Sequence, residues 1–292
     1  MGKSKVYLVS AEDRAVGARR CLAYFGVPDY AGKTVFVKPN FNNADPPPGS
    51  THNDVLEALF GAVRATNPKK IVLGERSGPA VVAEVFEKKG IGKLTIKYGV
   101  EFLNLEELPE EEWAEVGRAG LHWPKGLKVP RAVLEADAVV ATCCLKAHGF
   151  GGVFSNALKL GIGLTPKDFN MLHGSPHMRK MIAEVNVAYT PDFVLVDAVE
   201  VFLDGGPMVG ERCAANLMLI GSDRVALDAV GLAILKTLGA NSAIMNTPIF
   251  EQEQIARAVE LGLGARSAAE IEIVTDDEKS AAAADPIREM LL

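Results

Sequence analysis

The chain has 292 residues, 48% of them apolar and 23% charged, with a formal net charge of −6. That length can bury the core of one large domain, or of a domain with a closely packed lobe, and the acidic balance argues against a nucleic-acid-binding surface, which is normally basic. No apolar run reaches the roughly 20 residues of a membrane helix, and the first apolar stretch is too short for a signal peptide.

Lys5–Val9 reads as a first strand, and Ser10 as the cap of a helix running to Tyr24, stopped by Gly26 and Pro28. Thr34–Lys38 is a second strand, ended by Pro39. Thr51-His-Asn-Asp54 resembles a capping box, and Val55, Leu56, Leu59, Phe60 and Val63 then fall at helical spacing. Lys70–Gly74 reads as a third strand, a helix lies near Ala80–Lys89, and Leu94–Tyr98 reads as a fourth strand. Around residues 100–130 the alternation breaks. An acidic run from Glu106 to Glu115 reads as a solvated face, and Trp113 and Trp123 as anchors of a small satellite core in an inserted lobe. Asp137–Thr142 returns to the sheet, and Asp192–Asp197 and Ala215–Ile220 add strands. Asp223–Leu238 and Gln254–Leu261 are helices, Ile271–Val274 is a last strand, and residues 279–292 read as a loose tail. Short apolar strands between helices predict a three-layer α/β fold. Its sheet is mostly parallel, with helices on both faces.

In such sheets, ligands bind where the loops gather at the carboxyl edge of the strands. The richest of these loops is Cys144–Gly163, which brings Lys146, His148, Lys159 and five glycines to the end of one strand. Lys146 and Lys159 can clamp a carboxylate or phosphate, with Gly149, Gly151 and Gly152 letting backbone approach it. The glycines make neither a dinucleotide fingerprint, since Phe154 stands where a third glycine is needed, nor a P-loop. The loop after Lys38 presents Asn40 and Asn42 on a proline-rich frame, with Lys38 as a point charge. A third loop carries His173 and His177, but Gly174 and Pro176 forbid the single helix of a zincin site. A fourth carries Asp197 and Asp204, which can bind a metal or orient a histidine. For Asp204 the competing reading is an Asx turn. His148, His173 and Lys146 are the catalytic candidates. Lys38, Asn40, Asn42, Lys159 and the three glycines are candidates for holding a substrate. His148, His173, His177, Asp197 and Asp204 are candidates for a divalent metal.

These loops, in this order, resemble the family known as domain of unknown function 362. The matching pieces are Val37-Lys-Pro-Asn40, Thr51-His52, Leu145-Lys-Ala-His-Gly149, Ala157-Leu-Lys-Leu-Gly161, Met171-Leu-His173, Val196-Asp197, Asp204-Gly-Gly-Pro207 and Gly221–Asp228, spanning roughly residues 30–240. The family name records no established activity. Some members resemble this chain with an added 4Fe–4S ferredoxin module. Cys21, Cys143, Cys144 and Cys213 form no C-x-x-C pair, so no iron–sulfur cluster is expected here and the thiols fit a reducing cytoplasm. The layout also bears a distant likeness to nickel-pincer lactate racemases, an analogy of arrangement only.

Three readings follow. The first is an enzyme acting on a small anionic substrate, with or without a divalent metal. The second is a non-catalytic small-molecule or cofactor carrier, or a redox-assembly accessory protein. The third is a nucleotide-dependent oxidoreductase, which the missing glycine fingerprint disfavours. The expected partner is a small anion rather than nucleic acid or a membrane, and oligomerisation is left open.

Overall fold

The computed structural model describes residues 2–292. Eight strands form one sheet: β1 (Ser4–Ser10), β2 (Thr34–Lys38), β3 (Lys70–Glu75), β4 (Val100–Asn104), β7 (Ala138–Cys144), β10 (Phe193–Gly205), β11 (Gly210–Gly221) and β12 (Ile271–Thr275). Two small hairpins lie outside it. One pairs β5 (Trp113–Glu115) with β6 (Lys128–Pro130), the other β8 (Lys146–His148) with β9 (Val153–Ser155). The order across the sheet is β12-β1-β11-β10-β7-β2-β3-β4, and β11 alone runs antiparallel to its neighbours.

Side-chain alternation along the strands builds the two covered faces. In β10, Val194 and Val196 join one core with the helices Arg224–Thr237, Glu253–Glu260 and Glu278–Leu291. Phe193 and Leu195 join the opposite core with the helices Arg14–Phe25 and Asn53–Arg64. The result is the expected three-layer α/β sandwich. The β5–β6 excursion covers one end, where Trp123, Leu127 and Val129 share a satellite core with Met181 and Ile182.

Several local expectations are corrected. Leu94–Tyr98 is the end of a helix, Ile91–Tyr98, bracketed by Gly90 and Gly99 in left-handed conformations, and the fourth strand follows at Val100–Asn104. The buried positions there, Ile91 and Thr95, are four apart, which is helical spacing. The first helix starts at Arg14 under an Asp13 cap rather than at Ser10, and the cap of Asn53–Arg64 is His52 rather than Thr51. The supposed loose tail is a helix, Glu278–Leu291. It buries Ser280, Ala284, Ile287 and Leu291 along one stripe and is capped by Asp277.

From β2 the chain moves outward to β3 and β4, then returns to β7 on the other side of β2. Connections leave in opposite directions at this point, so a crevice opens above the carboxyl ends of β2 and β7. Lys38 ends one strand and Cys144 the other. Beyond Asp197, β10 leaves β7 and continues to Gly205 paired only with β11, so the two form a ribbon that overhangs this crevice.

Candidate active site

A cavity of about 200 Å³ occupies the crevice, and a smaller one of about 50 Å³ lies deeper against it. Asn40, Asn42, His148 and Lys159 wall both. Five segments supply the outer walls: the loop after β2, the loop after β3, the β8–β9 hairpin with the short helix Ala157–Leu160, the helix Phe169–His173, and the β10–β11 turn with Pro207 and Met208. Lys38, Asn40, Asn42, His148, Lys159 and His173 therefore do meet around one hollow. Lys146 and His148 both face it because they are two apart on β8, while Ala147 between them turns into the core.

The lysines differ in what surrounds them. Lys38 is only 1% exposed, and its Nζ donates to Glu75 Oε1 and the Pro39 carbonyl, both at 2.6 Å. Glu75 also accepts from the amides of Phe41 at 2.8 Å and Arg76 at 3.0 Å. Lys38, expected to hold a substrate anion, lines the cavity with its charge matched by a buried carboxylate, and the pair braces the cavity wall. Gly163 makes room for it, since a Cβ there would lie 2.5 Å from Lys38 Nζ.

Lys146, also buried, donates to the carbonyls of Pro48 and Gly49, both at 2.6 Å, and forms no ion pair. An ammonium has three donors, so one remains for a ligand. Lys159 is half-buried and makes neither a hydrogen bond nor an ion pair with the described residues. Burial, then the charges of Lys146 and Arg76, push its amine down to about 7. Arg76, which the sequence reading missed, also lines the cavity; it binds the carbonyls of Thr165 at 2.8 Å and Ile162 at 2.7 Å and no carboxylate. Its position directly after β3, at the same sheet edge as Lys38, was the available signal.

His148 is 5% exposed, and its Nδ1 is buried without a hydrogen-bond partner. Burial, with Lys159 and Lys146 nearby, drives its pKa down to about 2, so the imidazole is neutral. Asn42 Nδ2 is likewise buried and unpartnered. His173 is half-buried at the mouth, stacked on Phe169, and burial followed by Lys159 lowers its pKa too. Gly152 sits against the centre of the site: a Cβ there would lie 2.9 Å from His148 Nδ1 and 3.0 Å from Lys159 Cε. Gly149 and Gly151 lie at the exposed tip of the hairpin, outside the walls of both cavities. Cys143 and Cys144 line the inner cavity, but burial raises both thiols, Cys144 to about 12, which disfavours a thiolate.

The five metal-ligand candidates do not converge. Asp197 pairs with Arg14 at 2.8 Å, because β10 continues past it and it is not at a strand end. Asp204 is exposed on the ribbon and accepts from Asn241. His177 precedes the helix Met178–Glu184 and packs at a tilt against His122, whose Nδ1 lies 2.6 Å from Glu184. Among the described residues no three His, Cys, Asp or Glu side chains are grouped to hold a metal ion. No helix of the described residues is long and apolar enough to cross a membrane.

Fold and site define an α/β protein with a cavity lined by several cationic side chains at the switch point of its sheet. The sequence pattern described as Domain of unknown function (DUF362) matches residues 35–233, and the chain belongs to that family. No curated protein matches its sequence. Among solved structures it is similar to a Thermotoga maritima protein, Northeast Structural Genomics Consortium target VR152, at 16% identity and a TM-score of 0.49. That match covers 85% of this chain and 59% of the other, so the chain spans well under two thirds of the Thermotoga protein. It is also similar to the lactate racemase apoprotein of Thermoanaerobacterium thermosaccharolyticum, at 15% identity and a TM-score of 0.46, over 96% of this chain and 85% of that one.

Proposed function

We propose that this protein is an enzyme that binds a small carboxylate or phosphate-ester anion in the carboxyl-edge cavity, with His148 as general base. The observation that carries the reading is the gathering of Lys146, Lys159 and Arg76 around two adjoining cavities, Lys146 on the inner, Arg76 on the outer and Lys159 on both, with no carboxylate in an ion pair with any of them. Unpaired cations in a partly dry site are held there at a cost in stability. An anionic ligand supplies the missing partner, and hydrogen bonds to charged groups are the strong ones. With a pKa of about 2 the imidazole of the empty site is a poor base, but a bound anion offsets the Lys159 and Lys146 charges that lower it after burial. In that complex its unpartnered nitrogen accepts a proton from the ligand, while the lysines stabilise the negative charge that develops.

A thermal-shift panel of carboxylates and phosphate esters tests the binding, since a ligand of the native state raises the melting temperature. Ligands that bind go on to proton NMR in D2O, which reads both ester cleavage and exchange of carbon-bound hydrogen. Lys159→Met is expected to reduce the thermal shift strongly, and His148→Asn to retain it while losing turnover. An unchanged shift in Lys159→Met would sink the proposal.

A further inference from the structure

The two cavities differ in chemistry, and the difference describes a ligand. The inner one carries a higher share of polar groups, Lys146, His148, Asn42, Ser155 and Asn156 with Lys159 at the boundary, beside Cys143, Cys144 and Leu160. Two atoms of residues shared by both cavities, His148 Nδ1 and Asn42 Nδ2, are buried and unpartnered. Buried polar atoms without partners are rare in folded proteins and call for an explanation such as a bound group.

The outer cavity is different. Phe41, Leu172, Pro79 and Met208 line it beside Glu75, Arg76 and Lys167, and Phe150 of the β8–β9 hairpin and Phe169 of the helix Phe169–His173 line it with their rings exposed. These two rings are 54% and 56% exposed, although each contacts a histidine of the site. Phe169 stacks on His173 with centroids 4.0 Å apart, and Phe150 lies edge-on to His148 at 6.2 Å. Large apolar side chains flanking the mouth of a pocket are the usual mark of a ligand-binding groove. The outer cavity's 200 Å³ is smaller than the roughly 300–1,000 Å³ of sites for drug-sized molecules, which fits one ring and not a dinucleotide.

We infer that the substrate is amphipathic, with an anionic head in the inner compartment and an apolar body of about one aromatic ring held between Phe150 and Phe169. The inference rests on the anion-binding reading and adds the class of molecule. In this pose His148, which walls both compartments, faces the junction of head and body. The reacting atom is then the one that links them.

Isothermal titration of the full chain separates the two ideas. The probes are acetate against phenylacetate, and inorganic phosphate against phenyl phosphate, so that the two pairs also tell which head the site prefers. For the preferred head, the phenyl-bearing ligand is expected to bind at least about tenfold more tightly than the bare head, the range that burying one ring supplies. Phe150→Ala/Phe169→Ala is expected to bring that ratio to within about twofold while leaving the affinity for the bare head unchanged. Both rings are exposed, so the variant is expected to fold, and circular dichroism checks this. Equal binding of phenyl-bearing and bare anions would overturn the inference and leave the anion pocket standing. If no anion binds at all, both proposals fall. A loss of self-association in the double variant, with ligand binding unaltered, would assign the rings to a protein contact and overturn the inference.

Discussion

Two sides of one crevice hold lysines, buried at Lys38 and Lys146 and half-buried at Lys159, and treat them differently. On the β2–β3 side, Lys38 is locked against Glu75, and the carboxylate is itself held by two backbone amides. On the β7–β9 side, Lys146 rests on two carbonyls and Lys159 on nothing among the described residues. The first side is complete without a ligand, whereas the second has charge and hydrogen-bonding capacity left over. A buried charge that is already satisfied supports structure, and one left unsatisfied is where a binding partner belongs.

If that contrast is right, mutations on the two sides should separate stability from binding. The largest effect is expected from Glu75→Gln, which leaves Lys38 buried without its counter-charge. Breaking a buried pair typically destabilises by about 3–5 kcal/mol, readable as a shift in the urea midpoint. Lys159→Met should do the opposite: anion affinity falls by about 10- to 100-fold, as for loss of a charged hydrogen bond of roughly 1.5–3 kcal/mol, and stability holds or rises. A drop in stability comparable to that of Glu75→Gln would erase the distinction.

The glycines repeat the test on a smaller scale. Gly163→Ala presses on the Lys38–Glu75 pair and should lower stability by about 1–3 kcal/mol, as overpacking does. Gly152→Ala presses on His148 and Lys159 and should weaken anion binding with little change in melting temperature. Equal effects of the two on stability would count against the contrast.

The pH dependence sharpens it further. Lys159 is cationic below about 7, so anion affinity should fall as pH rises through that value, approaching tenfold per pH unit above it. Stability moves the other way. Between pH 7 and the ordinary lysine value the native state binds fewer protons than the unfolded chain, so this group's penalty is relieved as pH rises. Lys159→Met should remove both slopes. The smallest effects are expected far from the cavity: His177→Ala and Asp204→Ala should change stability by no more than about 0.5 kcal/mol and leave anion binding unaltered, apart from the lost His122 packing.

Much of this architecture is written in local patterns. The apolar runs at Thr34–Lys38, Lys70–Gly74 and Asp137–Thr142 read as central strands because both of their faces are covered, and the glycine-rich loop after Cys144 pointed at the cavity. Elsewhere the local signal was weak or misleading. Leu94–Tyr98 carries apolar residues that suit a strand, and only the flanking glycines and the i, i+4 burial of Ile91 and Thr95 mark a helix. The Glu278–Leu291 helix is rich in alanine and contains Pro286, so its apolar stripe was faint. Residue type pointed to Asp197 and Asp204 as ligands, but their roles depend on how far β10 runs, which is a property of its pairing with β11. The partner of Lys38 is 37 residues away on another strand, and no spacing rule connects them.

The overhanging ribbon has a consequence of its own. Its tip, with Gly206 N bonded to the Val209 carbonyl at 2.7 Å, carries Pro207 and Met208 over the cavity, and the Gly206 carbonyl accepts from Gly149 of the His148 hairpin. A strand advances about 3.3 Å per residue and repeats its facing every two. Adding one residue pair to each arm would lift this roof by roughly 6–7 Å and keep every inward side chain inward. The height of the chamber's roof is therefore set by counting rungs in a ladder outside it, independently of the charges on its floor.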